Sequence, residues 1–157
     1  MIVYNTKDKI AVCNMDQIEM DLNDNLVEVD ELMANVIVDL NKRGYKTRFC
    51  CSSHDFPTAD GYTLNGEIKY HYEYSPGDIY ILFDKVYDIP KLPEGWFYEI
   101  MPSCVDVSER LSIRHNTPSF INDDNNDSVN HYEYLIWLVN KMKILDEWVL
   151  KLPDLTE

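Results

Sequence analysis

The chain reads as one α+β domain over residues 1–157: a mostly antiparallel sheet of about five strands with two main helices, 28–43 and 127–150. Three observations predict it. Val29, Leu32, Met33, Val36, Ile37 and Leu40 recur at the spacing of one helical face. Tyr132, Leu135, Leu138, Val139, Met142, Leu145 and Val149 do the same near the end of the chain. Between them, Ile68, Tyr70, Tyr72 and Tyr74 alternate with Glu67, Lys69, His71 and Glu73 at the period of two that marks a half-buried strand.

Taken in order, Ile2-Val3-Tyr4 and Ile10-Ala11-Val12-Cys13 flank a polar turn and predict a hairpin. Asp16 to Glu31 holds seven carboxylates and no Lys or Arg, yet Ile18, Met20, Leu22, Leu26 and Val27 make it too apolar for a disordered acidic tail. In the helix that follows, Asp30 and Glu31 open the first turn and Lys42 and Arg43 close the last, as the macrodipole favours. Gly44 suits the position just past the helix end. A strand comes next, with Tyr45, Thr47, Phe49 and Cys51 toward the core and Lys46, Arg48 and Cys50 on the other face.

Residues 55–61 read as loop, and Asn65-Gly66 is a tight-turn signal. Ser75-Pro76-Gly77-Asp78 fits a turn that returns the alternating strand into Ile79–Phe83, making a hairpin over 67–83. Ile79–Phe83 is apolar on both faces and so belongs at the centre of the sheet. The tyrosines beside it suit a half-buried sheet face better than a base-stacking platform. Pro90 and Pro93 mark a linker, followed by strands at Trp96–Met101 and Arg110–His115. In the last of these Leu111 and Ile113 point inward and Arg110, Ser112 and Arg114 outward. Residues 122–127 resemble a calcium loop but lack its glycine and its closing glutamate, so they read as a solvated loop ending in a helix cap at Asp127 or Ser128.

A chain of 157 residues with 45% hydrophobic residues and five glycines is globular. Its 14 basic and 28 acidic residues leave a net charge of −14. That field excludes direct nucleic-acid binding and anionic membranes, and it fits either ordinary solubility or imitation of nucleic acid toward a basic partner. Cys13, Cys50, Cys51 and Cys104 are too few for a disulfide framework at this length, and Cys50 and Cys51 are expected reduced and unbonded. The first residues are too polar for a signal peptide, and no apolar run reaches the roughly 18 residues of a membrane span. The expected setting is cytoplasmic.

Chemically useful side chains concentrate in Gly44–His54. Cys51-Ser52-Ser53-His54 is a Cys-x-x-His pair, half of a zinc site on Cys50, Cys51 and His54. The same residues could serve as a nucleophile and its base. The third reading is a buried cysteine, a polar turn and a surface histidine. The chain has four arginines, and Arg48, Arg110 and Arg114 fall on the outward faces of strands. If those faces coincide, the arginines and the donors of Ser52, Ser53 and His54 make an anion site. Otherwise each arginine pairs with one of the many carboxylates. Phosphate-loop, dinucleotide, zinc-protease and serine-hydrolase motifs do not occur.

The helix, then Gly44-Tyr45-Lys46-Thr47-x-Phe49-x-Cys51-Ser52-x-His54, the strand Ile79-Tyr80-Ile81-x-Phe83, the Leu92-Pro93-x-Gly95 turn and Ile113-Arg114 together resemble small proteins encoded by phages and prophages of Firmicutes. Those proteins carry a Cys-Ser-Gly-His or Cys-Glu-Gly-His turn at this place, and the similarity spans about residues 27–115. The turn is also similar to the Ser-Cys-Ser-Gly-Arg turn of the wybutosine-synthesis methyltransferases, which implies a nucleotide-like ligand. This chain has Ser53 where both groups have glycine, and His54 where the methyltransferases have arginine.

The first expectation is therefore a non-catalytic phage or mobile-element accessory protein acting in the host cytoplasm without a cofactor. It captures an anionic, nucleotide-like small molecule at Arg48, Cys50, Ser52, Ser53, His54, Arg110 and Arg114, or it blocks a host defence protein. Homo-oligomers fit this reading. One alternative is a zinc protein or enzyme centred on Cys50, Cys51 and His54. The other is an acidic mimic of nucleic acid that inhibits a basic host protein.

Overall fold

The computed structural model of the chain describes residues 2–5, 10–13, 17–52, 58–62, 68–73, 78–102, 109–116 and 128–157. These form an α+β fold in which every strand pairing is antiparallel. The strands are β1 (Ile2–Asn5), β2 (Ile10–Cys13), β3 (Gln17–Leu22), β4 (Asn25–Asp30), β5 (Thr47–Cys51), β6 (Thr58–Tyr62), β7 (Ile68–Glu73), β8 (Ile79–Phe83), β9 (Trp96–Pro102) and β10 (Glu109–His115). The helices are α1 (Ala34–Lys42) and α2 (Ser128–Val149), with a 3-10 turn at Glu31–Met33 before α1.

Four strands in the order β5-β8-β10-β9 make the main sheet, and β1-β2, β3-β4 and β6-β7 are separate two-stranded pairs. The expectation of about five strands in one sheet thus becomes ten strands in four sheets among the described residues. β8 lies between β5 and β10, as its apolar run implies, and Ile79, Ile81 and Phe83 are wholly buried. Each contributes about 1.5–3 kcal/mol by leaving water. Met33 of the 3-10 turn and Val36, Ile37 and Leu40 of α1 pack into the same core, and from α2, Tyr134, Leu138, Met142, Leu145 and Val149 do.

Three elements differ from the sequence reading. The segment 25–30 is strand and not the opening of a helix, so α1 begins at Ala34 and not at 28. Asn23 and Asp24 both take positive φ (52° and 64°), the turn whose twist suits a two-residue hairpin. Alternation then buries Val29 and half-buries Met20, Leu22 and Val27, while Glu19 and Glu28 face solvent. The 67–83 hairpin does not form, because β7 pairs with β6 and β8 pairs with β5 and β10. Residues 58–61, the second half of the stretch read as loop, lie within β6. A period of two identifies a strand but says nothing about which edge it joins. The turns at 65–66 and 75–77 and the acidic stretch 122–127 lie outside the described residues.

The end of α1 is built as a Schellman motif. Gly44 takes φ +93°, its N–H donates to the Asn41 carbonyl, and Tyr45 N–H donates to the Leu40 carbonyl. The C-terminal segment fastens this turn: Arg43 Nη1 donates to the Leu152 carbonyl and Tyr45 Oη to the Pro153 carbonyl, each at 2.8 Å. Leu155 N–H donates back to the Arg43 carbonyl. The chain therefore enters β5 from a fixed position.

Candidate functional site

The start of β5 is set by one buried amide. Asn41 Nδ2 donates to the Ile37 carbonyl at 2.7 Å and to Thr47 Oγ1 at 2.9 Å. Its Oδ1 accepts from Thr47 N–H and from Asn23 Nδ2 in the β3–β4 turn. All four hydrogen-bonding capacities of the side chain are used. Helix, hairpin and strand thus meet on Asn41.

Arg48 then forms a β-bulge. Thr47 lies opposite Phe83 and Phe49 opposite Leu82, so two steps along β5 match one along β8. The inserted residue reverses the alternation expected for the rest of the strand. Thr47 and Cys50 share the core face with Phe83 and Ile81, while Phe49 and Cys51 join Leu82 and Tyr80 on the other. Phe49, expected inside, is 58% exposed. Arg48 and Cys50, expected together on an outward face, are parted: Arg48 is exposed at the bulge and Cys50 is half-buried against the core.

The donors at the end of β5 are also engaged. Ser52 is buried, and its N–H and Oγ–H both donate to Asp30 Oδ2, at 2.8 and 3.1 Å. Gln17 Nε2 donates to the other carboxylate oxygen of Asp30 at 3.4 Å. The anion held at this turn is the protein's own. Ser53 and His54 lie outside the described residues.

The arginines do not meet at one site. Arg110 is buried, and its Nε donates to the Asp84 carbonyl at 3.4 Å. Arg114 pairs with Glu99 at 3.1 Å and Asp78 at 3.6 Å and lies over the Tyr80 ring. Arg110 and Arg114 share a face of β10, as alternation predicts, but Arg48 stands at the bulge of β5 with β8 between. Arg48 makes no ion pair among the described residues and leans on the Phe49 ring.

Cysteine chemistry is muted here. Cys50 and Cys51 are not bonded to each other, as expected. They point to opposite faces of β5, which does not suit a shared metal. Burial pushes the Cys50 thiol up to about 12, and the nearby Asp30 carboxylate adds to the effect. Held protonated in this way, the thiol is a weaker nucleophile than a thiolate would be. Among the described residues, no group of three or more His, Cys, Asp and Glu is placed to hold a metal. No described helix is long and apolar enough to cross a membrane.

These features border a cavity of about 190 Å³ between the β3–β4 pair and β5. Gln17, Glu28 and Asp30 line one wall, Thr47, Arg48, Phe49 and Cys50 the other, and Ile37 of α1 lies between. The sequence reading missed Asp30, Asn41, Gln17 and Glu28. Alternation of Ile18, Met20 and Leu22 with Gln17, Glu19 and Asp21 was the available signal for the hairpin that carries three of them. No family model matches the chain, and neither the curated proteins nor the solved structures contain a significant match.

Proposed function

We propose that this protein is a binding protein without catalysis, and that it blocks a basic protein partner rather than holding a small anion. The cleft beside β5 carries the reading. Its walls bear Glu28 and Asp30, and Phe49 stands exposed at its rim. On the same hairpin, Glu19 lies directly opposite Glu28, and Leu26, opposite Asp21, is 71% exposed. Like charges paired across strands weaken a hairpin, and an exposed aromatic next to them gains nothing for the fold. Both suit contact with a cationic surface, where exposed apolar side chains supply the contact area and carboxylates the steering.

The anion reading finds less support. Ser52 is committed to Asp30, Arg114 to Glu99 and Asp78, and Arg110 is buried. The resemblance to phage proteins extends the proposal to counter-defence, with a host defence protein as the partner.

A photo-reactive side chain placed at Phe49 tests this in bacterial cells. The expected result is one covalently captured protein, joined through a basic segment and lost when Glu28→Lys is added. Calorimetry with nucleoside triphosphates and cyclic dinucleotides provides the opposing arm. Binding of either that disappears in Arg48→Ala overturns the proposal, as does the absence of a Glu28-dependent capture.

A further inference from the structure

The main sheet ends on β9, and no strand among the described residues pairs with its outer edge. Natural edge strands are short, bulged, or guarded by lysine or proline. β9 has none of these over most of its length. It pairs with β10 through seven consecutive residues without a register shift, and proline comes only at its last position. Phe97, Tyr98, Ile100 and Met101 are 37–48% exposed, so apolar side chains stand uncovered on both faces of the edge. Glu99 is its one charged residue, and Arg114 of β10 already holds that carboxylate at 3.1 Å.

We infer that a second copy of this chain pairs antiparallel with β9, joining two four-stranded sheets into one of eight. A two-fold axis perpendicular to a sheet sets residues of the same parity opposite each other. The register that uses the whole strand is therefore centred on Glu99. Phe97 then faces Met101 and Tyr98 faces Ile100, apolar against apolar at each position. At the centre two Glu99 carboxylates meet, each held by its own Arg114, which also pairs with Asp78. The apolar pairs on either side outweigh the repulsion between these carboxylates and the net charge of −14 that opposes self-association. A foreign basic strand, by contrast, finds no uncompensated carboxylate along β9. The dimer stands independently of what the cleft at β5 binds.

Sedimentation velocity across a concentration series reads the outcome directly. The wild type is expected to move toward twice the 18.5 kDa mass of one copy as concentration rises. Ile100→Lys enters such an interface twice and is expected to raise the dissociation constant about tenfold or more. Circular dichroism and the melting curve of the variant report whether it is folded, and Met101→Lys replaces it if it is not. A wild type that keeps the mass of one copy throughout overturns the inference. So does a dimer that neither folded variant weakens, or a single copy that takes up an extended basic peptide along β9.

Discussion

Asp30 accepts both of the hydrogens that Ser52 offers, the amide at 2.8 Å and the hydroxyl at 3.1 Å, across 22 residues of sequence. The pair closes the end of β4 onto the end of β5, while Asn41 closes their beginnings through Asn23 and Thr47. The cavity is the space left between these two fastenings.

Asp30→Ala strands a buried donor pair. The loss of a buried hydrogen-bonded carboxylate is expected to cost about 1–3 kcal/mol, read as a lower urea midpoint with an unchanged slope. It also removes a negative charge that opposes ionisation of Cys50. Alkylation of Cys50 in the folded variant should therefore run faster than in the wild type. A faster rate without any stability loss would mean that Ser52 finds another acceptor.

The arginines separate into exposed and structural members. Arg48→Ala removes an exposed side chain with no ion pair among the described residues, and stability is expected to change by less than about 0.5 kcal/mol. Arg110→Ala removes a buried charged group and is expected to cost about 3 kcal/mol. Equal losses in denaturant melts would show that the exposure of Arg48 does not describe its role.

Much of this was legible in the residues, and the failures have identifiable causes. The helical stripes, the central position of Ile79–Phe83 and Gly44 at the helix end follow from local periodicity and turn chemistry, which act over a few residues. Alternation located Tyr45 and Thr47 correctly and failed from Phe49 onward. The bulge at Arg48 depends on Asn41 holding Thr47, a tertiary contact that no period reports. Asp30 read as a helix-opening acid because its role lies in Ser52, far along the chain. The hairpin around Asn23-Asp24 was masked by its carboxylates, although its apolar residues alternate. Strand pairing was the least legible feature: β7 has a clean period of two, yet nothing in it names β6 as its partner.

The two adjacent thiols should behave differently. The folded chain holds the Cys50 proton more tightly than an unfolded chain does, because burial and Asp30 raise the thiol from 9.0 to about 12. That contribution is intact below about pH 9 and is lost as pH rises from there toward 12. Stability in alkaline urea melts is expected to fall less steeply in Cys50→Ala, which lacks the group. At neutral pH, iodoacetamide should label Cys51 first and half-buried Cys50 more slowly, because burial and Asp30 hold its proton in place. Rapid labelling of Cys50 in the native protein would contradict its burial.

His115 gives the opposite dependence at the acid end. Its ring sits edge-on between Trp96 at 5.4 Å and Trp137 at 5.2 Å. Nδ1–H donates to the Asn116 carbonyl at 2.8 Å, which leaves Nε2 an acceptor, buried and without a partner among the described residues. Gly95 permits this approach: it takes φ +88°, and a Cβ there would lie 2.5 Å from Nε2. Burial holds the imidazole below its ordinary value; the Asn116 carbonyl and Asp78 act the other way, and Lys141 reinforces the lowering. The folded chain thus takes up this proton less readily than the unfolded chain. The contribution is complete above about pH 6.5, the unfolded value, and is lost progressively as pH falls from there through the lower folded value. Urea midpoints taken from about pH 7.5 down to about pH 5.5 should fall more steeply in the wild type than in His115→Gln. Gly95→Ala should cost about 1–3 kcal/mol at either pH, from strain at positive φ and the clash with the ring. Parallel slopes for wild type and His115→Gln would assign the acid sensitivity to the carboxylates instead.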